Sequence, residues 1–278
     1  MAENSKIEWT DHTANLWWGC TKVHEGCDHC YAETLSKRWG FDVWGNDKPR
    51  RIIKRTFADL DRFQKQAELE GVTKRVFVGS MMDIFEKPMS LVDNDGNYSS
   101  LTDTDSLRWD LFLYIDNGFY PNLEFQLLTK RPGNINKYIP PHWKSEPPPN
   151  VMFGCSVVNQ ATADKLIPQL LMVEGKRFLS VEPMLGPVNL RPFFDMPFPN
   201  CSIDWVIVGG ESGPGRRPFD PNWARQIRDD CKEFGVPFFM KQWDKVIAIP
   251  EDLMIREFAD ASCLSMTKKK VKNDRNKD

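Results

Sequence analysis

The run Asp204-Trp205-Val206-Ile207-Val208-Gly209-Gly210 decides the fold. It is short, apolar without alternation, and ends in two glycines before Glu211, as expected of a strand buried on both faces of a parallel sheet. Similar runs recur upstream at Arg75–Ser80, Glu124–Thr129, Val151–Ser156 and Arg177–Glu182, with a shorter one at Val236–Lys241 that contains a proline. An apolar stretch from Ala14 to Trp18 stands first. Helical periodicity falls between the runs, over Phe57–Leu69, Ser106–Asn117, Gln160–Val173 and Pro221–Phe234, and Tyr31–Trp39 reads as a further helix. Strand and helix alternate about six times, which predicts an α/β fold built as a partial (β/α)6 TIM-like barrel.

The beat is lost beyond Trp243, so the barrel is expected over residues 1–243, with a C-terminal extension over 244–278. Residues 268–278 hold five lysines and one arginine against two aspartates, +6 − 2 = +4, and read as a solvated basic tail. Two stretches interrupt the rhythm. Met89–Thr104 is polar and reads as a surface excursion, and Pro140–Pro149, with five prolines, reads as a stiff connector.

Chemistry concentrates after the first apolar stretch, in Gly19-Cys20-Thr-Lys-Val-His-Glu-Gly26-Cys27-Asp-His-Cys30-Tyr31-Ala-Glu33. Three thiolates are one short of a closed tetrahedral site, so a metal group held by them keeps an open position where chemistry can occur. A zinc knuckle completed by His24 or His29 is the plainer alternative. Seven cysteines, three bunched and four scattered, make a poor disulfide framework and suit a reducing compartment.

Composition bounds the rest. The 278 residues are 41% hydrophobic and 27% charged, with a net charge of −2, so any nucleic-acid contact must be local. No run approaches the ~18 apolar residues of a membrane span, and the N-terminus lacks the apolar core of a signal peptide. A cytoplasmic protein with no membrane partner is expected.

In a parallel barrel the carboxyl ends of the strands face one mouth. Polar residues gather at those ends: Ser80 with Asp83, Lys130 with Arg131, Ser156, Glu182, Glu211 with Arg216 and Arg217, and Lys241. Glu182 and Glu211 on adjacent buried strands are costly unless each meets a cation, an amine or a hydroxyl. The glycine turn before Arg216 and Arg217 lacks a triphosphate-loop or dinucleotide fingerprint.

These residues resemble the radical S-adenosylmethionine superfamily, which carries C-x3-C-x2-C on the loop after the first strand of a partial barrel. Here six residues, not three, separate Cys20 from Cys27. That departure is similar to a phage-associated three-cysteine family long labelled a domain of unknown function. Its hallmarks match Trp18-Gly19-Cys20, Gly26-Cys27-Asp-His-Cys30-Tyr31-Ala32-Glu33, Ser80-Met-Met-Asp83-Ile-Phe85, Leu128-Thr129-Lys130-Arg131-Pro132, Ser180-Val-Glu182-Pro183-Met-Leu-Gly186, Gly209-Gly-Glu211-Ser212-Gly213 and Lys241-Gln242-Trp243. The match runs from about Trp9 to Trp243.

The resemblance implies a [4Fe-4S] cluster on Cys20, Cys27 and Cys30, with S-adenosyl-L-methionine at its open iron and an external electron donor. Gly209-Gly210-Glu211 follows the sixth strand and is not the superfamily's amine-binding motif, which follows the second. Ser80 and Asp83 are the positional counterparts, with Glu182 and Glu211 facing cofactor or substrate. The phage setting implies a modified thymine in DNA as substrate, and an isomerase that converts an N-linked glycyl-thymine into its C-linked form. Lys130, Arg131, Arg216 and Arg217 are then candidates for the substrate carboxylate. A radical enzyme acting on tRNA, a peptide or a lesion is the alternative within this chemistry.

Overall fold

All seven apolar runs contribute strands to one parallel sheet, seen in a computed structural model that describes residues 4–195 and 202–259. The strands are β1 (His12–Ala14), β2 (Lys74–Val78), β3 (Leu123–Thr129), β4 (Val151–Val157), β5 (Lys176–Val181), β6 (Trp205–Gly209) and β7 (Phe238–Gln242). Each pairs in parallel with the next in chain order. Helices α1 (Tyr31–Arg38), α2 (Thr56–Glu70), α3 (Thr104–Asp116), α4 (Gln160–Leu171) and α5 (Pro221–Phe234) fall between the strands. Sequential order with helical crossovers makes a curled, half-barrel α/β sheet.

The strands bury both faces, and side chains still alternate between two cores. On the helix side Val76, Val78, Phe125, Leu127, Phe153, Leu179, Val206 and Met240 join one large cluster. On the concave side Phe77, Met152, Phe178, Trp205, Ile207 and Phe239 pack round Trp9. Trp9 precedes β1, yet its ring lies 4.7 Å from Phe77 and 6.2 Å from Trp205 on β6. That reach across the sheet is what curling means here. Toward the carboxyl ends the concave face turns polar, through Lys130, Ser156, Ser180, Glu182 and Lys241.

Gly154 on β4 makes room for this plug, since a Cβ there would stand 2.2 Å from the Phe178 ring. Gly154→Ala is expected to destabilise the fold by about 1–3 kcal/mol through overpacking. A urea midpoint equal to wild type would show that the ring has space to retreat.

Three sequence expectations need correction. The stretch Ala14–Trp18 is not one strand. The chain turns at Asn15, whose side chain donates to Ser80 Oγ (2.8 Å) and accepts from the Met81 N–H (2.7 Å). Trp17–Trp18 then joins a second, four-stranded sheet with Arg50–Ile52, Ser90–Val92 and Tyr98–Asp103. Met89–Thr104 therefore supplies two strands of that sheet, and Asp93 shapes the turn between them by accepting from the N–H groups of Asp95 and Asn97. Pro140–Pro149 is pinned by Trp143, which is fully buried and donates to Asp116.

The described part of the extension beyond residue 243 packs against the sheet. Leu253 enters the core, and backbone bonds from Met240 to Ile255 and from Glu257 to Phe238 cover the β7 edge. The basic tail at 268–278 lies outside the described residues. Among the described residues, no helix is long and apolar enough to cross a membrane.

Candidate active site

Cys20, Cys27 and Cys30 line one cavity of about 210 Å3 together with the polar strand ends. Trp9, Phe77 and Leu128 also line it, so apolar and polar walls meet there. The cysteine loop leaves the small sheet through Gly19, whose φ of +115° and close approach to the Val43 carbonyl exclude a side chain. Glu25–Cys27 form a 3-10 turn capped by His24, and Cys30 is the N-cap of α1.

Two arginines moor this loop. Arg50 is fully buried with Glu86, donating from Nε at 2.9 Å and from Nη2 at 2.8 Å. Its remaining donors reach the Thr21 hydroxyl and the carbonyls of Val43, Gly45 and Lys48. Arg131 joins the Asp83 carboxylate (2.6 Å) to the Thr21 carbonyl and approaches Cys20 Sγ at 3.7 Å. Both oxygens of Asp83 are engaged: Oδ1 by Thr129 and the Phe85 N–H, Oδ2 by Arg131 and the Lys130 N–H. Asp83 thus ties the ends of β2 and β3 to the cysteine loop.

Burial and the Asp83 and Glu86 carboxylates push the Cys20 thiol up to about 12. The Arg131 guanidinium beside it does not offset this, so Cys20 is a thiol as placed, and a bound metal is what would hold it as thiolate. Among the described residues no group of three or more His, Cys, Asp or Glu side chains stands close enough to hold a metal ion as placed. The three cysteines are free, and their chemistry suits an iron–sulfur group at the cavity wall. Cys155 and Cys231 are buried, and burial raises both thiols, as for small apolar side chains. Cys201 and Cys263 lie outside the described residues.

The other candidates divide by their partners. Ser80, Asp83, Lys130, Arg131, Glu182 and Glu211 all line the cavity, whereas Arg216 and Arg217 do not. Arg216 pairs with Asp244 at 2.6 Å. Arg217 grips both oxygens of Glu211 and donates to the Glu25 carbonyl (3.1 Å), so it is a third mooring of the cysteine loop. Glu211 also meets His29 Nδ1 at 2.8 Å. Lys130 Nζ is 3.3 Å from the Ser156 hydroxyl and has no carboxylate within ion-pair distance among the described residues.

Three residues that the sequence places in motifs or at strand ends, without a role, belong to the site. Lys241 forms a close ion pair with Glu182, joining the ends of β5 and β7. The Tyr31 hydroxyl donates to the Ser80 carbonyl at 2.6 Å, closing the gap between α1 and β2. Ser180, on β5, lines the same cavity. Spacing along β5 was the available signal, because Phe178, Ser180 and Glu182 share one face at period two.

Glu211 titrates far below its ordinary range. Burial pushes its carboxyl up, but the Arg217 side chain and backbone N–H and the His29 ring outweigh this and hold it down to about 2. A depressed carboxylate stabilises the fold above its ordinary pKa, and the contribution disappears as pH falls through the folded value. The stability advantage of wild type over Glu211→Gln is therefore expected to shrink between pH 4.5 and about 2. Urea titrations across that window measure it, and a constant difference would remove Glu211 from the loop's moorings.

A family model described as "Protein of unknown function (DUF5131)" matches residues 4–276. No curated protein and no solved structure matches the chain.

Proposed function

The chain belongs to the DUF5131 family of proteins of unknown function, and we propose that it is a radical S-adenosylmethionine enzyme acting at this cavity. One observation carries the reading: three cysteines of a single loop share a cavity with the polar carboxyl ends of a curled parallel sheet. Cys20, Cys27 and Cys30 would hold a [4Fe-4S] cluster. When bound, the cluster and S-adenosylmethionine supply one-electron reductive cleavage and hydrogen-atom abstraction.

The residues of the chain bind, orient and exclude water. Lys130 is the cation best placed to take a carboxylate, because Arg131, Arg216 and Arg217 already have acidic partners. Ser80, Ser156 and Ser180 offer hydroxyls along the same wall. Glu182, held by Lys241, presents a fixed carboxylate to an amine or a ribose hydroxyl. Asp83 and Arg131 act as positioning residues through their grip on the cysteine loop. Trp9, Phe77 and Leu128 supply apolar wall that limits water.

The substrate class follows from the resemblance and is supported by Lys130. An N-linked glycyl-thymine brings one carboxylate and an α-carbon whose hydrogen is easily removed. Its conversion breaks the bond from nitrogen to the thymine methylene, forms the bond from that carbon to the glycine α-carbon, and returns a hydrogen. Mass is unchanged. With the α-carbon deuterated, label is expected in 5′-deoxyadenosine, and the product nucleoside should shift in retention at the mass expected for its deuterium content. Turnover of a tRNA or peptide with no change in the thymine would replace the substrate while keeping the chemistry.

The His29–Glu211 pair favours one other reading, since a carboxylate commonly orients a zinc-bound histidine. Iron and sulfide analysis of anaerobically prepared protein separates the two.

A further inference from the structure

A second depression, of about 450 Å3, lies on the small sheet and is lined by Trp18, Trp39, Phe41, Arg51, Lys54 and Arg55, among others. Trp17 and Trp18 pair with Ile52 and Arg51, and adjacent residues of a strand face opposite ways. Trp17 and Ile52 pack into the main core, so Trp18 and Arg51 face away from it.

Aromatic rings form a ladder there. Trp18 and Trp39 stack with centroids 4.9 Å apart and planes 19° apart, and Phe41 stands edge-on to Trp18 at 5.5 Å. The Arg51 guanidinium lies 3.6 Å over the Phe41 ring. Trp39 remains 55% exposed, so this ladder is not core. Charge is concentrated beside it. Arg51, Lys54, Arg55 and Arg62 line the groove against a single carboxylate, Asp59, a local balance of +4 − 1 = +3 in a chain whose net charge is −2. Stacked rings flanked by cations are the recognition chemistry of unpaired nucleotides, because every base has a π-face and every phosphate is an anion.

The groove also adjoins the cavity. Trp18 lines the groove and Cys20 lines the cavity, with only Gly19 between them, so their Cα atoms are at most about 7 Å apart.

We propose that this groove binds single-stranded DNA flanking the target base, with bases on Trp39 and phosphates on Lys54, Arg55 and their neighbours. The assignment rests on the proposed function for its choice of nucleic acid, and it makes the substrate a strand rather than a free nucleotide. A base delivered from such a strand is already unstacked when it reaches the cavity.

The test is fluorescence anisotropy of a labelled oligothymidylate with the reconstituted full-length protein. Trp39→Ala is expected to weaken binding about tenfold, the loss of one stacked base. For wild type, log affinity should fall with log salt at a slope near −2, about 0.7 for each of three net cations. Lys54→Ala with Arg55→Ala should flatten that slope. Iron content, equal in all the proteins, controls for damage to the neighbouring loop.

Variants that bind DNA as wild type does would overturn the proposal, as would a wild-type protein that ignores the oligonucleotide at low salt. So would groove variants that bind DNA normally but accept electrons slowly, because the groove would then serve an acidic donor protein. Loss of DNA binding in the variants, with no cleavage of S-adenosylmethionine by wild type, would keep the groove and remove the radical reading. Turnover of a free nucleoside with unaltered DNA binding in the variants would do the reverse.

Discussion

Cys27→Ala is expected to lower the iron bound after anaerobic reconstitution from about four atoms per chain to near zero, with loss of the broad ~400 nm absorption. The large effect follows from the donor count. Cys20, Cys27 and Cys30 come from one loop, and with three thiolates each ligand is needed, unlike a four-cysteine site with one to spare. Cys27 is buried at the cavity wall, so no solvent-borne ligand replaces it easily. Cys231→Ala is the control. That thiol is fully buried in α5, is raised by burial, and does not line the cavity, so iron should stay at the wild-type level. Equal iron loss in both variants would indicate general instability, and full loading of Cys27→Ala would move the cluster elsewhere.

The second large effect is structural. Glu86→Ala should destabilise the fold by about 3–5 kcal/mol, because it leaves Arg50 buried with an uncompensated charge. Side-chain exposures of 0% for Arg50 and 2% for Glu86 leave no route for water to substitute. The same change should impair iron loading, since Arg50 reaches the Thr21 hydroxyl beside Cys20. A double replacement, Arg50→Met with Glu86→Leu, separates the two consequences. Removing both charges should recover much of the stability, whereas the tie to Thr21 stays broken and iron loading stays low. Urea midpoints with an unchanged m-value measure the first part, and iron per chain the second. A fully loaded double variant would show that Arg50 stabilises without positioning.

The parallel sheet was legible because its strands are buried on both faces. Runs such as Val206-Ile207-Val208 are short, β-branched and without alternation, as such strands are, and each ends in the small or polar residues that build the mouth. The first strand was misread because hydrophobicity does not register a turn made by Asn15, whose two bonds go to residues 65 and 66 positions away. The small sheet was hidden for a related reason. Ser90–Val92 is only three residues long and Tyr98–Asp103 is mostly polar; the first gains its place by pairing with Arg50–Ile52 and the second by pairing with the first. At the site, residue types were readable and pairings were not. Lys241 and Glu182 stand 59 residues apart, Arg50 and Glu86 36 apart. Nothing local in the sequence distinguishes Lys130, which lacks an acidic partner among the described residues, from its neighbour Arg131, which has one.

Reductive cleavage of S-adenosylmethionine tests the central claim most directly. Reconstituted protein, reduced anaerobically with dithionite, should release 5′-deoxyadenosine and methionine in equal amounts, and Cys30→Ala should release neither. Wild-type protein that carries its full iron and sulfide, yet yields no 5′-deoxyadenosine with any reductant or glycyl-thymine substrate, would contradict the account.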